Sequence, residues 1–391
     1  MPLAVDATTP VRRRAALEQA GLLALFGVAG ALQFSIAIAQ ILLTISVVCW
    51  VALLIVEHES VDMPSFAWPL ALYVVLTLVS TAFSPQPRTS LMACKQMVLF
   101  VIIPLTCRFA RGERAQTMVT VIVSCAAAAA AVGIFQYGVL HYDNLGQRPQ
   151  GTLGHYMTYS GLLMLVICAA VARILFGERD RLWAALVVPA LAVTIPLTFS
   201  RQAEVGASVA VALLLLLKDK RLLAILPVLA LVFYVAAPAK VTNRFESMFN
   251  PKDPTRSDRF VMLREGEHMI KDHPWLGIGP NMVQPLYAQY REPDAVNKTN
   301  PHLHNVPVQI AAERGIPALA AWLWFVVSLI VALAKRMRDK RQTLLAATAL
   351  AAVVAMLAAG MFEYNFGDSE FLMLFLILVT LPFAAIQPRR A

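Results

Sequence analysis

The chain has 391 residues, 59% of them hydrophobic and only 15% charged, with a mean hydropathy of +0.65. Soluble domains carry about 25% charged residues, so this composition excludes an ordinary soluble protein and puts the chain in a lipid bilayer. The net charge of +9 is scattered over short loops between apolar runs and forms no single basic face, which argues against nucleic acid as a partner.

A spanning helix needs roughly 20 mainly apolar residues. The first apolar block, 16–56, is long enough for two spans with a break near Gln33. It runs on far too long for the core of a cleavable signal. Further spans are predicted at 66–83, 89–107, 115–139, 156–176, 182–199, 202–217 and 221–237, and the last three at 316–334, 343–361 and 369–386. The fold class is therefore an all-α polytopic membrane protein with about 12 transmembrane helices. Residues 1–237 form helices one to nine, 238–315 a partly helical loop domain, and 316–391 helices ten to twelve. The five cysteines, Cys49, Cys94, Cys107, Cys125 and Cys168, fall in or beside apolar runs without metal spacing and read as small buried hydrophobes.

Cations fix the expected orientation. Arg12, Arg13 and Arg14, then Arg108, Arg111 and Arg114, fall on one side of the bilayer, as do Arg173, Arg179 and Arg181. Lys218, Lys220 and Arg221, the "KRMRDKR" cluster, and Arg389 with Arg390 share that side, whereas the short loops opposite hold only Arg88, Arg148 and Arg201. By the positive-inside rule both termini are cytoplasmic and the 238–315 loop faces outward. A loop of that length in a compact protein is usually functional.

Within the loop, "RSDRFVMLREGEHMIKDHPWLGIGPN" reads as a helix capped by Ser257 and ended by Pro274, Gly277 and Gly279. At about 100° per residue, Met262, Leu263, Gly266, Met269 and Ile270 share an apolar stripe. Arg259 projects into that stripe and Arg264 does not. A cation facing protein needs an anion, either a loop carboxylate or an anionic ligand. Arg201, in the short turn of "IPLTFSRQAEVGASV", poses the same question, with snorkelling to the interface as the plain alternative. Two guanidinium groups on one side suit a phosphate or diphosphate.

The stretch "NPHLHNVPVQIAAERG" places His302 and His304 before a short helix capped by Asn305 and stopped at Gly315. A helix N-terminus favours the neutral imidazole over the imidazolium, so His304 is suited to accept a proton from a hydroxyl. The H-x-H spacing also permits zinc, although no third and fourth ligand stands at a recognised spacing; a purely structural pair is the remaining option. Arg88 and Lys95 could extend an anion site. Arg148, His155, Glu363, Tyr364 and Asp368 read as solvated loop residues. No phosphate-loop, nucleophile-elbow or cofactor fingerprint is present, so no cofactor or metal is expected.

Three pieces, "FSRQAEVG", "DRFVMLREGEHMIKDHPWLGIGPN" and "HLHNVPVQIAAERGIPAL", together with their order among the spans, resemble the O-antigen ligase and polymerase superfamily of bacterial envelope glycosyltransferases. The resemblance implies a GT-C-like membrane enzyme of the bacterial inner membrane, with its active site facing the periplasm. Arg201, Arg259 and His304 fall on the family's catalytic positions. Leu263 stands where the family has an aromatic, which keeps Arg264 as an alternative to Arg259, and Arg264, His302, Asn305, Arg88 and Lys95 are candidates for substrate binding. The implied donor is a polysaccharide on undecaprenyl diphosphate, the implied acceptor a sugar hydroxyl of lipid A–core, and the transfer inverting and metal-independent. A polymerase would use the same donor. A flippase would need ionisable groups near the midplane of several spans, and the spans are nearly free of acids.

Overall fold

The computed structural model describes residues 8–385 apart from 60, 62, 251 and 252. Arg389 and Arg390, expected on the cation-rich side, lie outside the described residues. Among these residues all regular structure is helical, and the protein is a helical membrane protein. Six helices are long and apolar enough to cross a bilayer: Ile36–Val56, Pro87–Phe109, Arg114–Gly138, Tyr156–Phe176, Val306–Arg336 and Thr343–Gly360. Ala67–Ala82, Arg181–Leu197 and Ser369–Ala384 are shorter apolar helices. Of the twelve predicted spans, those six meet the criteria of length and apolarity. Ile225–Ala236 and Arg201–Lys218, for example, are helical but too short or too polar to qualify.

Tyr156–Phe176, Thr343–Gly360 and Ser369–Ala384 form the buried centre, with Arg201–Lys218 packed on the first two. Small side chains allow the close approach: a Cβ on Gly206 would sit 2.2 Å from Met164 Sδ. At one end of the bundle, Arg108 bonds Glu59 and Glu18 at 2.6 Å each, and Arg173 reaches Asp180 at 3.5 Å. His304, Glu363, Arg201 and Asp253 gather at the other end.

The segment after Ile225–Ala236 folds over that second end as helices Ala239–Glu246, Pro254–Asp272 and Val283–Tyr290. It has its own small core of Met262, Met269, Ile278, Met282, Val283, Leu303 and Ala312. The long helix starts four residues earlier than its sequence suggests, because Asp253 and Pro254 make a better cap and first residue than Ser257: Asp253 Oδ1 accepts from Arg256 N at 3.0 Å.

The "HPWLGIG" strip is laid along a break in the Val306–Arg336 helix. Gly315 has φ +82° and ψ 167° inside that helix, which frees carbonyls that Ile278 and Gly279 use: their N–H groups donate to Ala312 and Glu313 at 2.9 Å each. Gly277 has φ +67°, and a Cβ there would stand 2.3 Å from the Glu313 carbonyl carbon. Both the dihedral and the space exclude a side chain. Gly277→Ala should therefore destabilise the protein by roughly 2–3 kcal/mol, seen as a lowered unfolding midpoint in detergent micelles. An unchanged midpoint would show that the strip does not anchor the segment.

Candidate active site

His304 stands just before the Asn305 cap with φ +49°, a left-handed conformation that costs a non-glycine residue about 1–2 kcal/mol. Its surroundings hold it there. The Asn305 side chain accepts from Val308 N at 3.0 Å and donates to the Met361 carbonyl at 3.2 Å. Gln309 Oε1 takes the Leu303 N–H at 2.6 Å. The strain persists where the neighbouring structure over-determines it, as is common at functional sites.

The His304 ring is oriented by Glu363, which is only 7% exposed. Glu363 Oε2 lies 2.9 Å from His304 Nδ1, and its Oε1 accepts from Tyr364 N at 3.0 Å and faces His302 Nε2 at 3.5 Å. Burial alone would push this carboxyl up, but the hydrogen bond from His304 and the positive charge around it, that of Arg259 included, outweigh it and hold it down at about 2. An ionised carboxylate only accepts, so Nδ1 of His304 carries a proton, and in the neutral ring the lone pair is then on Nε2. His302, edge-on to His304 at 4.1 Å, is pulled down to about 4, first by burial and then by the charges of His304 and Arg259.

Two cavities meet at His304. One, of about 330 Å³, is lined by Arg201, Arg256, Arg259, Phe260 and Leu303 among others, and no carboxylate among the described residues lines it. Among the described residues, Arg201 bonds Ser247 Oγ at 3.2 Å and reaches Asp253 Oδ1 at 3.4 Å. Arg259 has no hydrogen bond or ion pair among the described residues, and burial foremost lowers its pKa, with Arg201 adding to the effect. Arg244, near the same charges, has among the described residues only Asp253 at 3.8 Å, and its Nε is buried with no partner among them. With the single carboxylate of Asp253 shared between Arg201 and Arg244, these half-buried guanidinium groups call for a further anion.

The other cavity, of about 390 Å³, contains Glu363, Asp368, Thr158, His155, His302 and Asn365 in its wall, and neither arginine nor lysine among the described residues lines it. The two walls share Gln202 and His304. One histidine thus stands between a cationic and an acidic compartment.

Residues 184–323 match the family model described as O-antigen ligase. Over that stretch the chain is similar to the O-antigen ligase family. A comparison with curated proteins finds no match.

The O-antigen ligase match includes Arg201, Arg256, Arg259, His302, His304 and Asn305, and stops before Glu363 and Asp368. Of the candidates taken from sequence, Arg201, Arg259 and His304 line one cavity, while His302 lines its neighbour. The remaining candidates are placed elsewhere. Arg264 is 50% exposed and bonds Asp294 at 2.5 Å. Arg88 and Lys95 are exposed and line neither cavity. The amide of Asn305 is committed to the helix cap and to Met361. Glu363 is buried beside both histidines and is no solvated loop residue. Arg148 is half-buried, with its guanidinium over the Tyr156 ring at 4.1 Å. Sequence reasoning missed Arg256, whose signal was its place one turn before Arg259, and Arg244, which carried none.

His302, His304 and Glu363 also offer three ligand atoms within 4.8 Å of one another, a possible metal set with its third member 59 residues away. A cation there would have to displace the 2.9 Å His304–Glu363 hydrogen bond next to the Arg259 charge, an unfavourable exchange.

The neutral His302 makes stability pH-dependent. Its folded pKa, about 4, lies below the ordinary 6.5, so the unfolded chain binds more protons between those values. Stability is then lost as pH falls from 6.5 towards 4, by at most roughly 3 kcal/mol. His302→Gln should flatten this part of the melting-temperature profile in micelles. An unchanged slope would assign the loss to other groups.

Proposed function

We propose that the protein is a glycosyltransferase of the GT-C type in the bacterial inner membrane. It moves a polysaccharide from undecaprenyl diphosphate to a sugar hydroxyl of lipid A–core at the periplasmic face. The observation that supports this most is the meeting at His304 of a carboxylate-free cavity lined by three arginines and a cavity free of arginine and lysine. With twelve crossings and both termini in the cytoplasm, this end of the bundle faces outward, in keeping with the cation-rich loops at the other end.

The step balances as follows. The acceptor oxygen attacks the anomeric carbon; the C1–O(acceptor) bond forms as the C1–O(diphosphate) bond breaks. The bonding electrons leave on undecaprenyl diphosphate, and the hydroxyl proton passes to His304 Nε2. Arg201 and Arg259, with Arg256, stabilise the charge growing on the leaving oxygens, an electrostatic role that needs no proton donor. Entry of nucleophile and leaving group from opposite sides inverts the anomeric carbon. Arginine charge serves where other glycosyl transfers use a divalent cation.

The test is reconstituted transfer from undecaprenyl diphosphate–polysaccharide to lipid A–core, with and without a strong chelator. Arg201→Ala and Arg259→Ala should each lower transfer by about 10²–10³-fold, while Arg264→Ala leaves it unchanged, and the chelator has no effect. Full transfer by Arg259→Ala removes the arginines from the reaction. Activity lost to chelator and restored by one cation would mean that His302, His304 and Glu363 hold a metal. Lengthened donor in place of capped core would make the protein a polymerase, and movement of donor without a new bond a transporter.

A further inference from the structure

The geometry points to the cavity walled by His155, Thr158, His302, Glu363, Asn365 and Asp368 as the subsite for the terminal ring of the acceptor. It selects an uncharged, hydroxyl-rich sugar, with Asp368 as a specificity-determining residue. The inference rests on the transfer reaction proposed above and adds where its second substrate sits and what it must be.

The reaction geometry supplies the first argument. With the diphosphate among Arg201, Arg256 and Arg259, the incoming alcohol must arrive on the opposite side of the anomeric carbon and within reach of the base. His304 belongs to both walls, so the compartment across it from the arginines is the one from which a nucleophile reaches the same imidazole. Its volume, about 390 Å³, is within the range of small-molecule sites, about 300–1,000 Å³.

Hydrogen-bond chemistry supplies the second. The wall is rich in acceptors. Asp368 Oδ1 accepts from Phe371 N at 2.9 Å and its Oδ2 from the Thr158 hydroxyl, and each oxygen has a further lone pair. Two more buried atoms in the wall residues have no partner among the described residues: Asn365 Oδ1, an acceptor, and His302 Nδ1, an acceptor when Nε2 carries the ring proton towards Glu363. The Asn365 amide nitrogen donates to the Met356 carbonyl at 3.1 Å. Buried acceptors without donors are costly, and a sugar ring brings several O–H donors. A phosphate or carboxylate brings none and would meet Glu363 and Asp368 at close range. The same wall that receives a neutral sugar therefore rejects an anionic one, as the arginine-lined cavity does the reverse.

Asp368→Asn separates these roles. Asparagine caps a helix as well as aspartate does, so the Phe371 bond and the fold are kept while the charge is removed. Lipid-anchored oligosaccharide acceptors differing only in the terminal ring are offered to the reconstituted protein: a hexose, a hexuronic acid and a hexose phosphate. The unaltered protein should use the hexose and discriminate against both anionic rings. Asp368→Asn should raise KM for the hexose acceptor about tenfold or more, relax the discrimination, and leave KM for the lipid diphosphate donor unchanged. Thr158→Val, which removes the hydroxyl held by Asp368, should also raise acceptor KM alone. A rise in donor KM with acceptor KM unchanged would give this cavity to the donor glycan, and discrimination unaltered in both variants would remove Asp368 from recognition; either overturns the inference while transfer itself stands. Absence of transfer by the unaltered protein would overturn the reaction and the subsite with it.

Discussion

His304→Ala should lower the transfer rate at saturating substrates by about 10²–10⁴-fold, the usual contribution of a positioned general base. Binding of the lipid diphosphate should be little changed, because Arg201, Arg256 and Arg259 are untouched and the histidine is no part of their charge. The split matters, since a histidine that only supports the fold would reduce both together. His304 also sits in a left-handed conformation with φ +49°, and its replacement removes the ring's hydrogen bond to Glu363. Gel-filtration behaviour and melting temperature therefore need to accompany the kinetics. Transfer within threefold of the unaltered protein, with donor binding intact, would leave the acceptor alcohol to be activated by something else.

Much of the architecture is readable from the chain because a bilayer imposes strong rules. Apolar runs and charged breaks set the helices to within a few residues, as with Tyr156–Phe176, predicted at 156–176. The difference lies in length and polarity: Arg201–Lys218 begins at the site with an arginine and holds Glu204, so it fails as a simple apolar span. Local signals also carried the site's frame. An asparagine followed by V-P gives the Asn305 cap, and the 100° projection turns Arg259 inward and Arg264 outward, where Arg264 meets Asp294. What the chain conceals is the long-range pairing. Glu363 lies 59 residues from His304 in "EYNFGDSE", a polar turn between two spans that looks like any solvated loop. Its burial follows from the packing of Val306–Arg336 on Thr343–Gly360, which no periodicity encodes. Asp253 is hidden differently: Ser257 offers a competing N-cap four residues on, although the D-P pair is the start the helix uses, and Asp253 supplies the carboxylate shared by Arg201 and Arg244.

Glu363→Gln should be nearly as damaging as loss of the histidine, at about 10²–10⁴-fold, although glutamine fills the same space. The reason lies in which end of the side chain is already committed. Tyr364 N donates to Oε1 at 3.0 Å, so a glutamine keeps its oxygen there and turns its NH₂ towards His304 Nδ1. That nitrogen must then accept, the ring proton moves to Nε2, and the lone pair needed for the acceptor hydroxyl is gone. A carboxylate-to-amide change that selects the wrong tautomer costs about 10⁴ in a serine-protease triad, a measured example from another enzyme of the same physical effect. Glu363→Asp keeps the charge at a longer reach and should retain more activity than the isosteric glutamine, an order that a packing role would reverse. Because the carboxylate acts through the imidazole, Glu363→Gln combined with His304→Ala should be no slower than His304→Ala alone. Multiplied losses in the double variant would show that Glu363 contributes to transfer by a route that does not pass through His304.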